Sequence, residues 1–127
     1  MDPRLTRVSK ICLALPETSR TTHGSNTTHG PHASFLVRKK VFAYYLDNHH
    51  GDGIVSICCK VAPGDNTELI RAQPERFYSP AYIGPRGWAG LRLDRGEIDW
   101  EEVAELVTES YRRCAPKTLA AKVGVCG

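Results

Sequence analysis

Residues 34–46, which read SFLVRKKVFAYYL, decide the fold because they hold two strand-like runs on either side of a short basic turn. Both runs are rich in the β-branched and aromatic residues that favour a pleated sheet. A third run of this kind, Ile54–Val61, follows a connection at 47–53 that contains Asn, Asp and two glycines. Short connections join antiparallel neighbours, so the sequence predicts a three-stranded antiparallel meander over residues 33–61.

Segments with helical periodicity flank this meander on both sides. On the N-terminal side, apolar residues recur every three or four positions from Leu5 to Leu15, after a start at Asp2 and Pro3 that suits a helix N-terminus. On the C-terminal side, Asp99 is predicted to cap a helix, with Glu102 reaching back to complete a capping box. The apolar stripe of this second helix consists of Trp100, Val103, Val107, Tyr111 and Cys114.

A short helix at 67–73 and a second β region lie between the meander and the capped helix. This β region comprises residues 77–82 and 88–93, separated by a strong turn signal, Gly-Pro-Arg-Gly, at 84–87. The predicted order is α-β-β-β-α-β-β-α-α, an α+β fold with two layers, in which helices pack on a curled antiparallel sheet. A single domain is expected for 127 residues, with a flexible polar loop at 17–32.

Charge and cysteine content limit the classes of function. The net charge is +3, and residues 1–64 hold 8 Lys and Arg against 4 Asp and Glu, whereas residues 65–127 hold 9 against 10. This balance permits a polyanionic partner without requiring one. Five cysteines form no disulfide framework, and no signal peptide or membrane-spanning run is apparent, so a reducing cytoplasm is expected.

Short motifs spread along the chain resemble those of a known family. The motifs are Lys40–Ala43, Cys59–Pro63, Tyr82–Gly84, Gly87–Trp88, Leu93–Asp94, Asp99–Trp100, Ser110–Tyr111 and Ala115–Lys117. In this order and spacing, over about residues 3–123, they resemble the MmcQ/YjbR-like proteins, which are small bacterial domains. The resemblance implies a fold like that of frataxin-like CyaY and of secretion chaperones, and a DNA-binding role through a double-wing arrangement.

The basic hairpin tips are the first candidate site. Arg38, Lys39 and Lys40 occupy one predicted turn and Arg86 another, and such tips can reach phosphates or enter a groove. The predicted nucleic-acid-binding residues are Arg38, Lys39, Lys40, Lys60, Arg86 and Lys117. Lysine and arginine also occur at turns and sheet edges for solubility alone, which is the competing interpretation. The predicted partner is double-stranded DNA, bound by a monomer or weak dimer without a cofactor.

Histidines and cysteines give weaker candidates. Histidines are dense at 23, 29 and 32, with two more at 49 and 50, but they match no zinc-ligand spacing, so no metal site is predicted. Cys58 and Cys59 are adjacent in a predicted strand and should point to opposite faces as core residues, so we predict that the protein is not an enzyme. The alternative function is a protein- or small-ligand-binding adaptor that exposes Tyr44, Tyr45 and Tyr82 on the sheet.

Overall fold

A six-stranded antiparallel sheet and four α-helices form the part of the chain described by the computed structural model, residues 3–23, 32–47 and 53–123. The helices are α1 (Pro3–Leu13), α2 (Asp65–Ala72), α3 (Trp100–Cys114) and α4 (Lys117–Lys122). The strands are β1 (Thr18–His23), β2 (His32–Val37), β3 (Lys40–Asp47), β4 (Val55–Lys60), β5 (Phe77–Tyr78) and β6 (Trp88–Arg92). The spatial order is β1-β2-β3-β4-β6-β5, which confirms the predicted α+β fold.

The prediction of a loop over residues 17–32 is wrong for its first part. Residues 18–23 form the edge strand β1, which pairs with β2 in register from Thr18 opposite Val37 to His23 opposite His32. Its sequence lacks large apolar residues because Ser19, Arg20 and Thr21 are exposed at the edge. Threonine favours extended backbone, so the strand forms without an apolar face of its own. Residues 24–31 of the predicted loop lie outside the described residues.

The main core lies between one face of the sheet and helices α1 and α3. Alternate residues of β4 face it, namely Val55, Ile57 and Cys59, while Cys58 belongs to a separate buried cluster with Leu46 and Trp88 on the other face. The prediction that Cys58 and Cys59 point to opposite faces is therefore confirmed. Within the described residues, no helix is long and apolar enough to cross a membrane.

An irregularity in β3 fits the sheet to α3. The pairing of β2 with β3 shifts between Phe35 and Leu36, which leaves Phe42 as an extra residue on β3. A bulge of this kind breaks the alternation of faces, so Phe42 and its neighbour Ala43 both enter the main core. There the Phe42 ring meets the Tyr111 ring of α3 edge-on, with centroids 5.4 Å apart.

Helix α3 begins at the predicted cap, although the capping box is incomplete. The Asp99 carboxylate accepts hydrogen bonds from the backbone N–H groups of Glu101 and Glu102, at 3.1 and 3.2 Å. The Glu102 side chain does not reach back to Asp99 but forms an ion pair with Arg76. The cap satisfies two of the free amides at the helix start, and the ion pair ties α3 to the segment before β5.

Candidate functional site

The register of the sheet brings the two predicted basic turns to one end. Strand β3 begins at Lys40, directly after the turn at Arg38 and Lys39. In the antiparallel pair β3–β4, Ala43 lies opposite Cys59, so Lys60 lies near the start of β3. Lys60 lies opposite Trp88, the first residue of β6, and Arg86 precedes that residue by two positions. We call this end of the sheet, with Lys39, Lys40, Lys60 and Arg86, the basic end.

A cleft opens at the basic end. It has a volume of about 690 Å³, and three cationic side chains from three different elements line it: Lys60 of β4, Arg86 of the 3₁₀ turn Gly84–Arg86, and Arg113 of α3. None of the ten lining residues carries a carboxylate. Three positive side chains without an acidic residue in the wall create a surface that attracts anions.

Hydrogen bonds join the two loops that form the walls of this cleft. The Val61 N–H donates to the Gly87 carbonyl at 3.0 Å, and the Asn66 Nδ2 donates to the Gly84 carbonyl, also at 3.0 Å. Gly87 has φ +94°, a left-handed conformation that ends the 3₁₀ turn and that a residue with a side chain would adopt only under strain. These contacts hold Arg86 in a fixed relation to the start of α2.

The tip of the β2–β3 hairpin offers fewer available positive charges than predicted, because Arg38 is paired with Glu17. Arg38 has φ +53° and Glu17 φ +56°, and the Arg38 guanidinium donates two hydrogen bonds to the Glu17 carboxylate, at 3.1 and 3.3 Å. These bonds lower the pKa of Glu17. Arg38 is therefore neutralised locally, whereas Lys39 and Lys40 are exposed and form no ion pair with any described carboxylate.

Helix α3 contributes two residues, Ser110 and Arg113, that are not among the predicted site residues. The Ser110 hydroxyl accepts a hydrogen bond from the Lys60 N–H at 2.9 Å and donates one to the Phe42 carbonyl at 2.5 Å. This bridge fastens the C-terminal half of α3 to the basic end and so places Arg113 in the cleft. Arg113 also pairs with Glu109 at 3.1 Å, and Glu109 lies 4.0 Å from Arg112.

The remaining predicted site residues lie outside the cleft. Lys117 is exposed at the start of α4 and is not part of the cleft wall. Of the three tyrosines expected to be exposed, Tyr82 is 85% exposed, Tyr44 is half-buried, and Tyr45 is buried in the main core. Tyr45 was thus predicted wrongly, because its face of β3 is the one covered by helices.

The histidines give no metal centre within the described ranges. His29, His49 and His50 lie outside the described residues, and His23 and His32 are opposite one another in the β1–β2 register. Among residues 3–23, 32–47 and 53–123, no group of three His, Cys, Asp or Glu side chains is placed to hold a metal ion.

The buried thiols have the character of core residues. Burial raises the pKa of Cys12, Cys59 and Cys114, so these side chains are neutral thiols at physiological pH. For Cys114, the positive charges of Lys40, Lys60 and Arg113 partly oppose this rise. A thiol acts as a nucleophile through its thiolate, which burial disfavours here.

These observations define a class of protein: a small α+β domain with a helix-covered sheet and a carboxylate-free basic cleft at one sheet end. The YjbR family model matches residues 13–113, and the chain therefore belongs to the YjbR family. Its fold is similar to that of Deinococcus radiodurans protein DR2400, a DUF419 domain. The two share 20% identity with a TM-score of 0.67, over 95% of this chain and 88% of the other. No curated protein matches the sequence.

Proposed function

We propose that this protein is a non-enzymatic binding module whose basic end binds the phosphate backbone of double-stranded DNA. The observation that carries this proposal is the cleft in which Lys60, Arg86 and Arg113 converge without a carboxylate among the lining residues. Lys39 and Lys40 extend the positive surface beyond the cleft, along the adjacent hairpin. We further propose that the protein works in a reducing cytoplasm, as a monomer or weak dimer.

Phosphate contacts supply affinity and position, and base contacts supply sequence preference. The lysines at the basic end act as point charges, whereas the guanidinium groups of Arg86 and Arg113 can donate two parallel hydrogen bonds to one phosphate. Arg38 contributes least because its guanidinium donates two hydrogen bonds to Glu17, and the charge of Arg113 is partly offset by its ion pair with Glu109. The proposal therefore predicts binding that is mainly electrostatic and only weakly dependent on DNA sequence.

Duplex DNA is expected to bind with a strong dependence on salt concentration. If 3–5 phosphates are neutralised, the slope of log affinity against log salt is about −3 to −5 between about 50 and 200 mM salt. The double variant Lys60→Gln/Arg86→Gln removes two phosphate contacts, so its slope is less steep by about 2 and its affinity at low salt falls at least about tenfold. Fluorescence anisotropy of a labelled duplex measures both quantities.

Arg95→Gln is the matched control, because Arg95 is exposed just beyond β6, at the opposite end of the sheet from Lys60. It removes a positive charge but no contact at the basic end, so the salt slope is expected to stay at the wild-type value. The single variants Lys60→Gln and Arg86→Gln each remove one charge, as Arg95→Gln does, so an equal loss of affinity in all three would indicate a general charge effect. A wild-type slope near zero would contradict DNA binding altogether.

A protein-binding adaptor is the second candidate, and one groove favours it. The groove has a volume of about 500 Å³, lies between α2 and α3 beside the cleft, and combines apolar Leu69 and Leu106 with the carboxylates of Asp65, Glu68 and Glu109. Glu68 pairs with Arg71 and Glu109 with Arg113, so this groove suits a mainly apolar peptide that offers a basic residue to Asp65. An adaptor of this kind would show no salt-dependent affinity for duplex DNA, so the same titration separates the two functions.

A further inference from the structure

We propose that the cleft binds one terminal phosphate group, a phosphomonoester, and that the protein therefore prefers a DNA strand end that carries such a phosphate. The inference deepens the proposed function and rests on it for the identity of the nucleic acid. The ability of the cleft to bind a phosphate group depends only on the residues of the cleft wall.

The charge of the cleft suits a dianion better than an internal phosphate. Lys60 and Arg86 form no ion pair with a carboxylate in the described part of the chain, and Arg113 shares Glu109 with Arg112. A phosphomonoester carries about −1.5 to −2 charges at pH 7, whereas each internal phosphodiester carries one. The unpaired charges of Lys60 and Arg86 therefore match the charge of one terminal phosphate, and Arg113, partly offset by Glu109, lies beside them in the cleft wall.

The acidic and the neutral residues at the start of α2 line different depressions, which supports a phosphate-binding site in the cleft. Asp65 and Glu68 line the neighbouring groove, whereas Gly64, Asn66 and Thr67 line the cleft. No side chain caps this helix start, where Gly64 has φ +88°. The Asp65 N–H donates to the Ala62 carbonyl at 2.9 Å, so the Asn66 and Thr67 N–H groups and the positive end of the helix dipole adjoin the cationic side chains of the cleft. The carboxylates of the same turn line the next groove.

The size and fixed walls of the cleft restrict what can enter. A volume of about 690 Å³ is within the range of small-ligand sites, roughly 300–1,000 Å³, and holds a nucleotide-sized group. The hydrogen bonds from Val61 to Gly87 and from Asn66 to Gly84 hold the two walls together. A cleft of this volume has no room for a continuous duplex, which can only lie across its mouth.

The test compares three forms of one duplex sequence: 5′-phosphorylated, 5′-hydroxyl, and closed at both ends by hairpin loops. Wild-type protein is expected to bind the phosphorylated form about tenfold more tightly than the other two, which corresponds to about 1.4 kcal/mol. Arg86→Gln is expected to abolish this preference, whereas Arg95→Gln retains it. Equal affinity of wild-type protein for all three duplexes would overturn the inference and leave the proposed function intact.

Thymidine 5′-monophosphate gives a direct readout that does not require DNA binding. Phosphorus NMR is expected to show a shift of its resonance on addition of wild-type protein, and this shift is absent with Arg86→Gln. If no duplex binds, the proposed function fails. The titration with thymidine 5′-monophosphate then tests phosphate binding in the cleft independently. A resonance shift that is lost with Arg86→Gln would support a phosphate-binding site in the cleft. No shift with wild-type protein would overturn the inference.

Discussion

Replacement of Tyr111 by alanine is expected to lower the free energy of unfolding by about 4 kcal/mol, the largest effect of any single change considered for this chain. The Tyr111 side chain is fully buried, and its ring packs edge-on against Phe42. Its hydroxyl donates a hydrogen bond of 2.8 Å to the Pro16 carbonyl, in the segment between α1 and β1. Loss of this side chain therefore leaves a cavity where α3, the β3 bulge and the entry to β1 meet.

Chemical denaturation followed by circular dichroism measures this change. Tyr111→Phe is the matched control, because it keeps the ring and removes only the hydrogen bond to Pro16, at an expected cost of about 1 kcal/mol. Equal destabilisation by the two variants would contradict the packing role assigned to the ring. A loss below about 1 kcal/mol for Tyr111→Ala would show that the contact with Phe42 contributes little to the fold.

Replacement of Gly90 by alanine is expected to destabilise the protein by about 2 kcal/mol through overpacking. A Cβ atom at this position would lie 2.8 Å from Cζ and 2.9 Å from Cδ1 of Tyr78, which pairs with Gly90 across β5 and β6. The Tyr78 ring cannot swing away freely, because its hydroxyl forms a 2.7 Å hydrogen bond with the Ser56 hydroxyl on β4. Gly90 is therefore required for close approach of an aromatic ring.

A double-mutant cycle with Tyr78→Ala isolates this contact. In the Tyr78→Ala background the ring is absent, so Gly90→Ala is expected to cost less than about 0.5 kcal/mol. The same cost of Gly90→Ala in both backgrounds would indicate a backbone effect at β6, contrary to the steric explanation.

The sequence predicts those elements of the fold whose signals are local. The cap residue Asp99 and the helical spacing of the apolar residues after it predict a helix, and α3 begins directly after Asp99 in the structure. Strand β1 was missed because an exposed edge strand of threonine, serine and arginine has the composition of a loop. Its identity as a strand comes from pairing with β2, which is a property of the folded sheet.

The candidate site was predictable only in part, for a related reason. The turn and strand context predicts Lys60 and Arg86, but Arg113 is not among the site residues that the sequence predicts. Its place in the cleft depends on the hydrogen bonds of Ser110 to Lys60 and Phe42, which no local pattern encodes. The neutralisation of Arg38 by Glu17 likewise requires the β1–β2 pairing to be known.

The cleft and the groove between α2 and α3 lie side by side because α2 starts at the end of the sheet where β4 finishes. Gly64 turns the chain there, and the i, i+3 spacing of Asp65 and Glu68 places both carboxylates in the groove, whereas Asn66 and Thr67 line the cleft. An anionic and a cationic partner would thus find separate surfaces on the same domain. The proposed DNA contact uses the first of these surfaces, the cleft.

Backbone amide NMR during titration with a duplex tests the central claim most directly, because it reports which end of the sheet meets the DNA. The account predicts the largest shift changes at Lys60, Asn66 and Gly87, which line the cleft, with little change at Arg95 and Gly96 beyond the far end of β6. The largest changes at Arg95 and Gly96, with Lys60 and Gly87 unaffected, would contradict the assignment of the basic end as the binding surface.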